Sequence, residues 1–206
     1  AMGVMMRMIG DAASPVAIIG GAGWNARARE YFAQFAERIG IPVATAFRRQ
    51  DAISPQSPVY AGNLGYGPNP ALVDRIKSSD LILAVGARLG EATTDGYTLI
   101  TPDHPGQLLI HVHPDPEELG STYRADLAIC ADMAEFAESA ALWGDDVIPF
   151  DAGTQAHAEW EEFTLPDGDG TMLDLAQCVA AMRELLPSDS ILCNGAGNYS
   201  GWWHRY

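Results

Sequence analysis

A glycine-rich turn near the start of the chain has the spacing of a phosphate-binding loop. Gly21-Ala-Gly23-Trp-Asn-Ala26 follows an apolar run and opens a helical pattern. It fits the G-x-G-x-x-G/A motif, whose glycines let the backbone approach a pyrophosphate. Any tight strand-to-helix turn also favours glycine, and Trp24 would crowd a pyrophosphate. The second strand ends at Arg48-Arg49, where an NAD site needs a carboxylate, so the turn does not favour NAD.

Two further loops carry candidate ligand contacts. Gly86-Ala-Arg88 follows a predicted central strand, at the sheet edge where open α/β folds bind ligands. Arg88 has two open interpretations: it binds a phosphate with its guanidinium fork, or it pairs with Glu91 or Asp95. Leu64-Gly-Tyr-Gly67 is a glycine-hinged loop able to lie against a ligand or a partner domain.

The sequence contains two groups of potential metal ligands, and we expect neither of them to form a metal site. His111 and His113 lie on one predicted strand, and we expect them to point to opposite faces and not to share an ion. Gly168-Asp-Gly170, with Asn194 downstream, has the spacing of a magnesium motif. Such a motif requires its Asp at the end of a buried strand. The residues before it form a polar segment, so we interpret it as a chance match.

Apolar runs alternate with helical patterns along the first two thirds of the chain. The predicted strands are 16–19, 42–47, 81–85, 108–112 and 127–130, and the predicted helices are 25–39, 70–77 and 133–143. Strands that alternate with helices at these spacings form parallel sheets with right-handed crossovers. The predicted fold is α/β, a doubly wound, mostly parallel Rossmann-like sheet. The segment 48–70 is expected to be mostly loop.

Composition defines the remaining boundaries. We expect a tail over 1–14, the Rossmann-like domain over 15–143, and an acidic linker over 144–170 with a short helical stretch near 156–163. The incomplete start of another domain, a helix and a strand at 190–194, is expected over 171–206. The net charge of −15 argues against nucleic acid as a partner. The chain has no apolar run long enough for a membrane span. Its three cysteines form no CxxC pair and fit a reducing cytoplasm.

These motifs together resemble a known family. Val16-Ala-Ile-Ile-Gly-Gly-Ala-Gly23, Leu64-Gly-Tyr-Gly67, Gly86-Ala-Arg88 and His111-Val-His-Pro-Asp-Pro116 resemble the central domain of thiamine-diphosphate-dependent enzymes of the acetolactate synthase type. Asn194-Gly-Ala-Gly-Asn-Tyr-Ser-Gly-Trp202 resembles the first strand and turn of their C-terminal, diphosphate-binding domain. In that family, the cofactors are thiamine diphosphate and magnesium, and the small-molecule substrates are 2-oxo acids.

The resemblance also assigns roles to single residues. It implies that Ala196, Gly197, Asn198 and Tyr199 form the turn that touches the diphosphate. It further implies that a nucleotide on the central domain would meet a second group of residues: Gly21, Gly23, Gly65, Gly86, Arg88 and Asp132. Family members bind FAD, an adenine nucleotide or nothing at this place. Where FAD-binding members have Asp at the end of the fourth strand, this chain has His113.

Two functional hypotheses follow. In the first, the chain is a central-domain fragment of such an enzyme, inactive alone because the pyrimidine-binding domain with its glutamate and most of the diphosphate domain are missing. In the second, it is a stand-alone nucleotide-binding module for FAD, ADP or coenzyme A, suggested by the Gly21 turn and by Arg48, Arg49 and Arg88. A purely structural scaffold is the third interpretation.

Overall fold

A single parallel sheet organises the protein. The computed structural model describes residues 1–102, 106–166 and 174–206. The strands of the sheet are β1 (Pro15–Ile19), β2 (Val43–Thr45), β3 (Tyr60–Asn63), β4 (Leu81–Val85), β5 (Leu108–His113) and β6 (Leu127–Cys130). Their spatial order is β3-β2-β1-β4-β5-β6, and every pairing is parallel. This is the order of the dinucleotide-binding folds, and it confirms the predicted fold class.

Helices cover both faces of this sheet. Those of the sheet domain are α1 (Met2–Asp11), α2 (Ala26–Ile39), α3 (Pro70–Ser78), α4 (Met133–Ala140) and α5 (Ala152–Phe163), whereas α6 (Leu175–Leu185) and α7 (Ser200–Arg205) belong to a second compact unit. One face packs against α1, α2 and α4, and the other against α3 and several loops. All five residues of β1 and of β4 are buried, because each of these strands is covered on both sides. Their apolar runs therefore show no alternation.

The predicted N-terminal tail is wrong. Residues 2–11 form α1, and Met5, Met6 and Ile9 of this helix are buried in the core of the sheet domain. The four methionines and the short length obscured an amphipathic pattern in which apolar residues recur at helical spacing. The segment belongs to the domain because its apolar side chains are needed to cover the sheet.

The structure refines two predictions for the middle of the chain. The stretch 48–70, expected to be mostly loop, also contains β3, which has only four residues and includes Gly62. The short helical stretch expected within the acidic linker is α5, which begins earlier, at Ala152, and packs beside this edge strand. The Nδ1–H of His157 donates to the carbonyl of Tyr60 (3.0 Å), and Trp160 meets the Tyr60 ring edge-on. The helix thereby covers a strand edge that would otherwise be exposed.

The chain divides into two compact units, residues 1–160 and 161–206. In the second unit, Ala176, Val179 and Tyr206 form a small core. The strand predicted for residues 190–194 is absent from the structure, and Ile191 is 89% exposed there. A strand forms only where a neighbour accepts and donates its backbone hydrogen bonds. Among the described residues, no helix is long and apolar enough to cross a membrane.

Candidate functional site at the carboxyl edge of the sheet

Two glycine turns at the carboxyl ends of β1 and β4 pack backbone against backbone. Gly21 and Gly86 both have left-handed backbones, with φ of 72° and 69°. A Cβ on Gly21 would overlap the carbonyl oxygen of Gly86, and a Cβ on Gly86 would lie 2.5 Å from the carbonyl oxygen of Gly20. The glycines are therefore required by this mutual contact, whether or not a ligand binds.

Trp24 fills the space beside these turns. Its side chain is 7% exposed, and its indole Nε1–H donates to the Gly20 carbonyl at 2.7 Å. The ring meets Phe32 edge-on, with centroids 5.6 Å apart. A Cβ on Gly86 would come within 3.3 Å of the indole nitrogen and 2.7 Å of the Met133 sulfur. The indole lies buried beside the two glycine turns, and its expected crowding of a pyrophosphate stays a prediction.

Arg88 has a partner that neither open interpretation named. Its Nε lies 3.0 Å from a carboxylate oxygen of Glu118, which belongs to the loop after β5. Glu91 and Asp95 form no ion pair with it in the described structure. Of the two arginines after β2, Arg49 contacts Asp51 at 3.0 Å, as does Arg29 of α2 at 2.6 Å, whereas the Arg48 guanidinium lies over the Phe47 ring. Arg49 and Arg88 are thus each paired with a carboxylate.

The histidines of β5 point to the same face, so our expectation of opposite faces was wrong. Residues two apart on a strand share a face, and the two rings lie 6.0 Å apart. The Nε2–H of His111 donates to the carbonyl of Ala87 (2.9 Å), while its buried Nδ1 has no hydrogen-bond partner in the described structure. Burial lowers the pKa of His111. The nitrogen Nδ1 of His113 accepts from the main-chain N–H of Asp115 at 3.1 Å.

Asp132 lies close to the first glycine turn. Its carboxylate caps α4 by accepting from the N–H of Ala134 at 2.8 Å. A Cβ on Gly23 would lie 3.8 Å from the other carboxylate oxygen and 3.5 Å from Met133. The structure therefore brings together Gly21, Gly23, Gly86 and Asp132. Whether these residues bind a nucleotide remains a prediction.

Gly65 makes a different contact. Its φ is 126°, and a Cβ there would lie 2.6 Å from the Phe47 ring. The loop around it lines a cavity of about 160 Å³, together with Lys77, Thr93 and Asp95. Pockets that bind cofactor-sized ligands are typically about 300–1,000 Å³. This cavity is therefore too small to hold a dinucleotide.

The turn that the resemblance assigns to diphosphate is closed on itself. The hydroxyl of Tyr199 accepts from the N–H of Gly195 at 2.9 Å, and a Cβ on Gly197 would lie 2.7 Å from the Tyr199 ring. The N–H of Ser200 is donated to the Gly197 carbonyl. All of these contacts form within the turn itself. The diphosphate contacts assigned to Ala196, Gly197, Asn198 and Tyr199 therefore stay predictions.

No cluster of three metal-ligating side chains occurs within residues 1–102, 106–166 and 174–206. The Gly168-Asp-Gly170 match lies outside the described residues. The sequence did not predict Glu118 as the partner of Arg88, because no motif near either residue indicates this ion pair. It also missed the Ala87 carbonyl as the partner of His111. Both contacts depend on how β4 and β5 pair.

The fold and these turns define a Rossmann-like domain with a crevice at its carboxyl edge. The model of the family "Thiamine pyrophosphate enzyme, central domain" matches residues 4–140. The chain therefore belongs to this family, which confirms the resemblance inferred from the motifs. The matched range begins within α1 and ends at the last residue of α4.

Several curated relatives share this similarity. An acetolactate synthase large subunit from Corynebacterium glutamicum is 26% identical over 207 residues, covering 96% of this chain and 32% of the relative. An acetolactate synthase from Mycobacterium bovis is 27% identical over 208 residues, covering 95% and 32%. A sulfoacetaldehyde acetyltransferase from Alcaligenes xylosoxydans xylosoxydans is 30% identical over 161 residues, covering 75% and 26%. The chain thus spans about a third or less of these relatives' length.

Proposed function

We propose that the chain supplies the central domain of a thiamine-diphosphate- and magnesium-dependent enzyme that acts on 2-oxo acids. The enzyme is an acetolactate synthase-like transferase or a decarboxylase. The family match over residues 4–140, on a six-stranded sheet, carries the proposal. The relatives are about three times longer than the aligned stretch, which supports partner domains on both sides. The free Cys130, Cys178 and Cys193 support a reducing cytoplasm as its setting.

In the whole enzyme, thiamine diphosphate would supply the electron sink for carbanion chemistry. Ala196, Gly197, Asn198 and Tyr199 are the residues we propose to touch its diphosphate. A diphosphate there would have to displace Tyr199, which covers Gly197 and accepts from the N–H of Gly195. The described residues form no complete thiamine-diphosphate site by themselves, and the role we propose for this domain is that of a scaffold.

Turnover by the isolated chain tests the scaffold role. We expect no acetolactate and no carbon dioxide from pyruvate when the chain is incubated with thiamine diphosphate and Mg²⁺. A relative such as the Corynebacterium glutamicum acetolactate synthase large subunit is the positive control. Measurable acetolactate formation by the purified chain would contradict the proposal that chemistry requires further domains.

The messenger RNA gives the direct test of the domain organisation. We expect the reading frame around these residues to encode a pyrimidine-binding domain with a buried glutamate on one side. On the other side, we expect a strand that ends in Gly-Asp-Gly with an Asn downstream, the spacing of a magnesium site in this family. A frame that encodes neither would favour the alternative, a stand-alone nucleotide-binding module.

That alternative rests on the Gly21–Gly23 turn. FAD, ADP or coenzyme A would meet Gly21, Gly23, Gly86, Arg88 and Asp132 in such a module. The burial of Trp24 beside this turn weakens the candidate, whereas the ion pair between the exposed Arg88 and Glu118 would compete only weakly with a phosphate. Scaffolding is therefore the function that the geometry supports better.

A further inference from the structure

The crevice between β1 and β4 is where this fold would bind a ligand. From β1, the chain continues to β2 and β3 on one side of the sheet. From β4, it continues to β5 and β6 on the other side, so the direction in which strands are added reverses between β1 and β4. Ligands of open α/β sheets bind at such a switch point, outside the carboxyl ends of the strands. The first turn after β1 and the turn after β4 meet at this switch point, backbone against backbone at Gly21 and Gly86.

The chain's own side chains fill this crevice. Trp24 is 7% exposed, and its Nε1–H is satisfied by the carbonyl of Gly20. Phe32 packs against the ring, and the thioether of Met133 lies against Gly86. A buried indole usually has its N–H bonded, and here the acceptor belongs to the turn that would otherwise approach a pyrophosphate. The contact holds Trp24 and the turn together.

The polar groups around the crevice are also engaged. The N–H of Ala28, in the first turn of α2, bonds to the Asn25 side chain at 2.8 Å. The guanidinium of Arg88 is paired with Glu118, and the carboxylate of Asp132 caps α4. A phosphate at the first turn of α2 would have to displace the Asn25 side chain as well as the indole.

We propose that Trp24 is an internal plug that closes the switch-point crevice to FAD and adenine nucleotides. The indole occupies the space into which a pyrophosphate would enter, and the glycines serve the packing of the two turns. Nucleotide specificity of this domain is thus determined by one side chain, which converts a dinucleotide-binding architecture into a scaffold. The inference does not depend on which reaction the whole enzyme catalyses.

Substitution of the plug tests this inference by calorimetric titration with FAD and with ADP. The wild-type chain and Trp24→Phe, which keeps an aromatic ring, are expected to bind neither. Trp24→Ala and Trp24→Leu remove the ring, and we expect at least one of them to bind FAD or ADP at least tenfold more tightly than the wild type. Trp203→Ala, in the second unit, is the matched control and should not change binding.

Circular dichroism must first show that each variant retains its fold. A folded Trp24→Ala or Trp24→Leu chain that binds no better than the wild type would overturn the proposal. Equally, tight FAD or ADP binding by the wild type would overturn it. The wild type also gives a test without substitution: the Trp24 indole N–H resonance should be protected from hydrogen exchange and unchanged by 1 mM nucleotide, roughly the upper range of physiological ligand levels. A nucleotide-induced shift of that resonance would contradict the plug.

Discussion

At Gly21 and Gly86, the packing of the two turns by itself requires glycine. Both are left-handed, and each lies where a Cβ would run into the other turn. The contact therefore explains Gly21 of the nucleotide-binding motif and Gly86 of the loop after β4 without any nucleotide. The same logic applies to Arg88, whose guanidinium is bound by Glu118. At the scale of single residues, the groups of the candidate site therefore contact one another rather than an open pocket.

Replacing Gly21 tests this contact. Gly21→Ala is expected to lower the free energy of unfolding by about 3 kcal/mol or more, since left-handed strain adds to backbone overlap with Gly86. Gly67→Ala is the matched control, because Gly67 also has a positive φ, 69°, but has nothing within 4 Å of a Cβ. It should cost only about 1–2 kcal/mol. Urea denaturation gives both values, and equal losses would contradict the packing argument.

His111 predicts a dependence of stability on pH. Burial lowers the pKa of its imidazole below the ordinary value of 6.5, so the unfolded chain binds the proton more tightly than the folded one. Its contribution to stability is present above pH 6.5 and is lost as the pH falls through the folded pKa. His113 and Glu118 are the titratable groups that influence it, with opposite effects on its pKa.

His111→Gln removes this titration while keeping a donor for the Ala87 carbonyl. Between pH 7 and pH 5, the wild type should lose stability more steeply than the variant, by at most about 1.4 kcal/mol per pH unit. Denaturation curves at several pH values measure the two slopes. Parallel slopes would mean that His111 does not titrate differently in the folded and unfolded chains.

At the scale of elements, α5 is a part of the sheet domain. Arg75 of α3 holds Glu159 of α5 through two contacts of 2.8 Å, and Asn69 donates to the Glu159 carbonyl at 3.0 Å. Gly153 lets the start of α5 approach the backbone of Gly40. A segment with the composition of an acidic linker thus covers β3, because Ala156 and Trp160 of its helix pack into the clusters of the sheet domain.

Gly153→Ala is expected to destabilise the domain by about 1–2 kcal/mol. A Cβ there would lie 2.6 Å from the Gly40 carbonyl oxygen and 2.7 Å from Val59, which outweighs the gain in helix propensity of up to about 1 kcal/mol. Gly10→Ala, in α1, is the control, since nothing lies within 4 Å of its Cβ. That change should be neutral or stabilising. Thermal unfolding of both variants distinguishes these outcomes, and a stabilised Gly153→Ala would refute the close packing.

At the scale of the whole molecule, the two compact units have separate cores. The two clusters of the sheet domain contain buried residues up to Ala156, whereas Ala176, Val179 and Tyr206 form the third. Within 174–206, several large apolar side chains are exposed, among them Leu185 (83%) and Ile191 (89%). Such exposure is typical of surfaces that another domain covers, in agreement with the proposed scaffold role.

Truncation tests the independence of the first unit. A chain that ends at Leu165 keeps α5 and all of the first two clusters, so its free energy of unfolding should match that of the full chain within about 0.5 kcal/mol. A chain that ends at Pro149 lacks α5 and should be destabilised by at least about 2 kcal/mol, because Ala156, Glu159 and Trp160 are lost. Equal stability of the two truncated chains would contradict the role of α5.

The sequence predicted most of the sheet because buried parallel strands have a local signal. The bounds of β4 and β6 match the prediction, and β1 and β5 differ from it by one residue at one end, since uninterrupted apolar runs end at glycine, proline or aspartate. β3 escaped detection because four residues with a central Gly62 carry too little pattern. The strand predicted at 190–194 failed for the opposite reason: the apolar pattern is present, but no neighbouring strand pairs with it.

The sequence by itself determined the fold class and the family. Both can be recognised from apolar runs and short motifs, which do not depend on contacts between distant parts of the chain. The tertiary structure decided what the motifs do. Only the pairing of β1 with β4 places the Gly21 turn against Gly86, and only the path of the loop after β5 brings Glu118 to Arg88. Trp24 combines the two. The sequence shows its position directly after the glycines, whereas its burial depends on the packing of Phe32, Gly86 and Met133 around it.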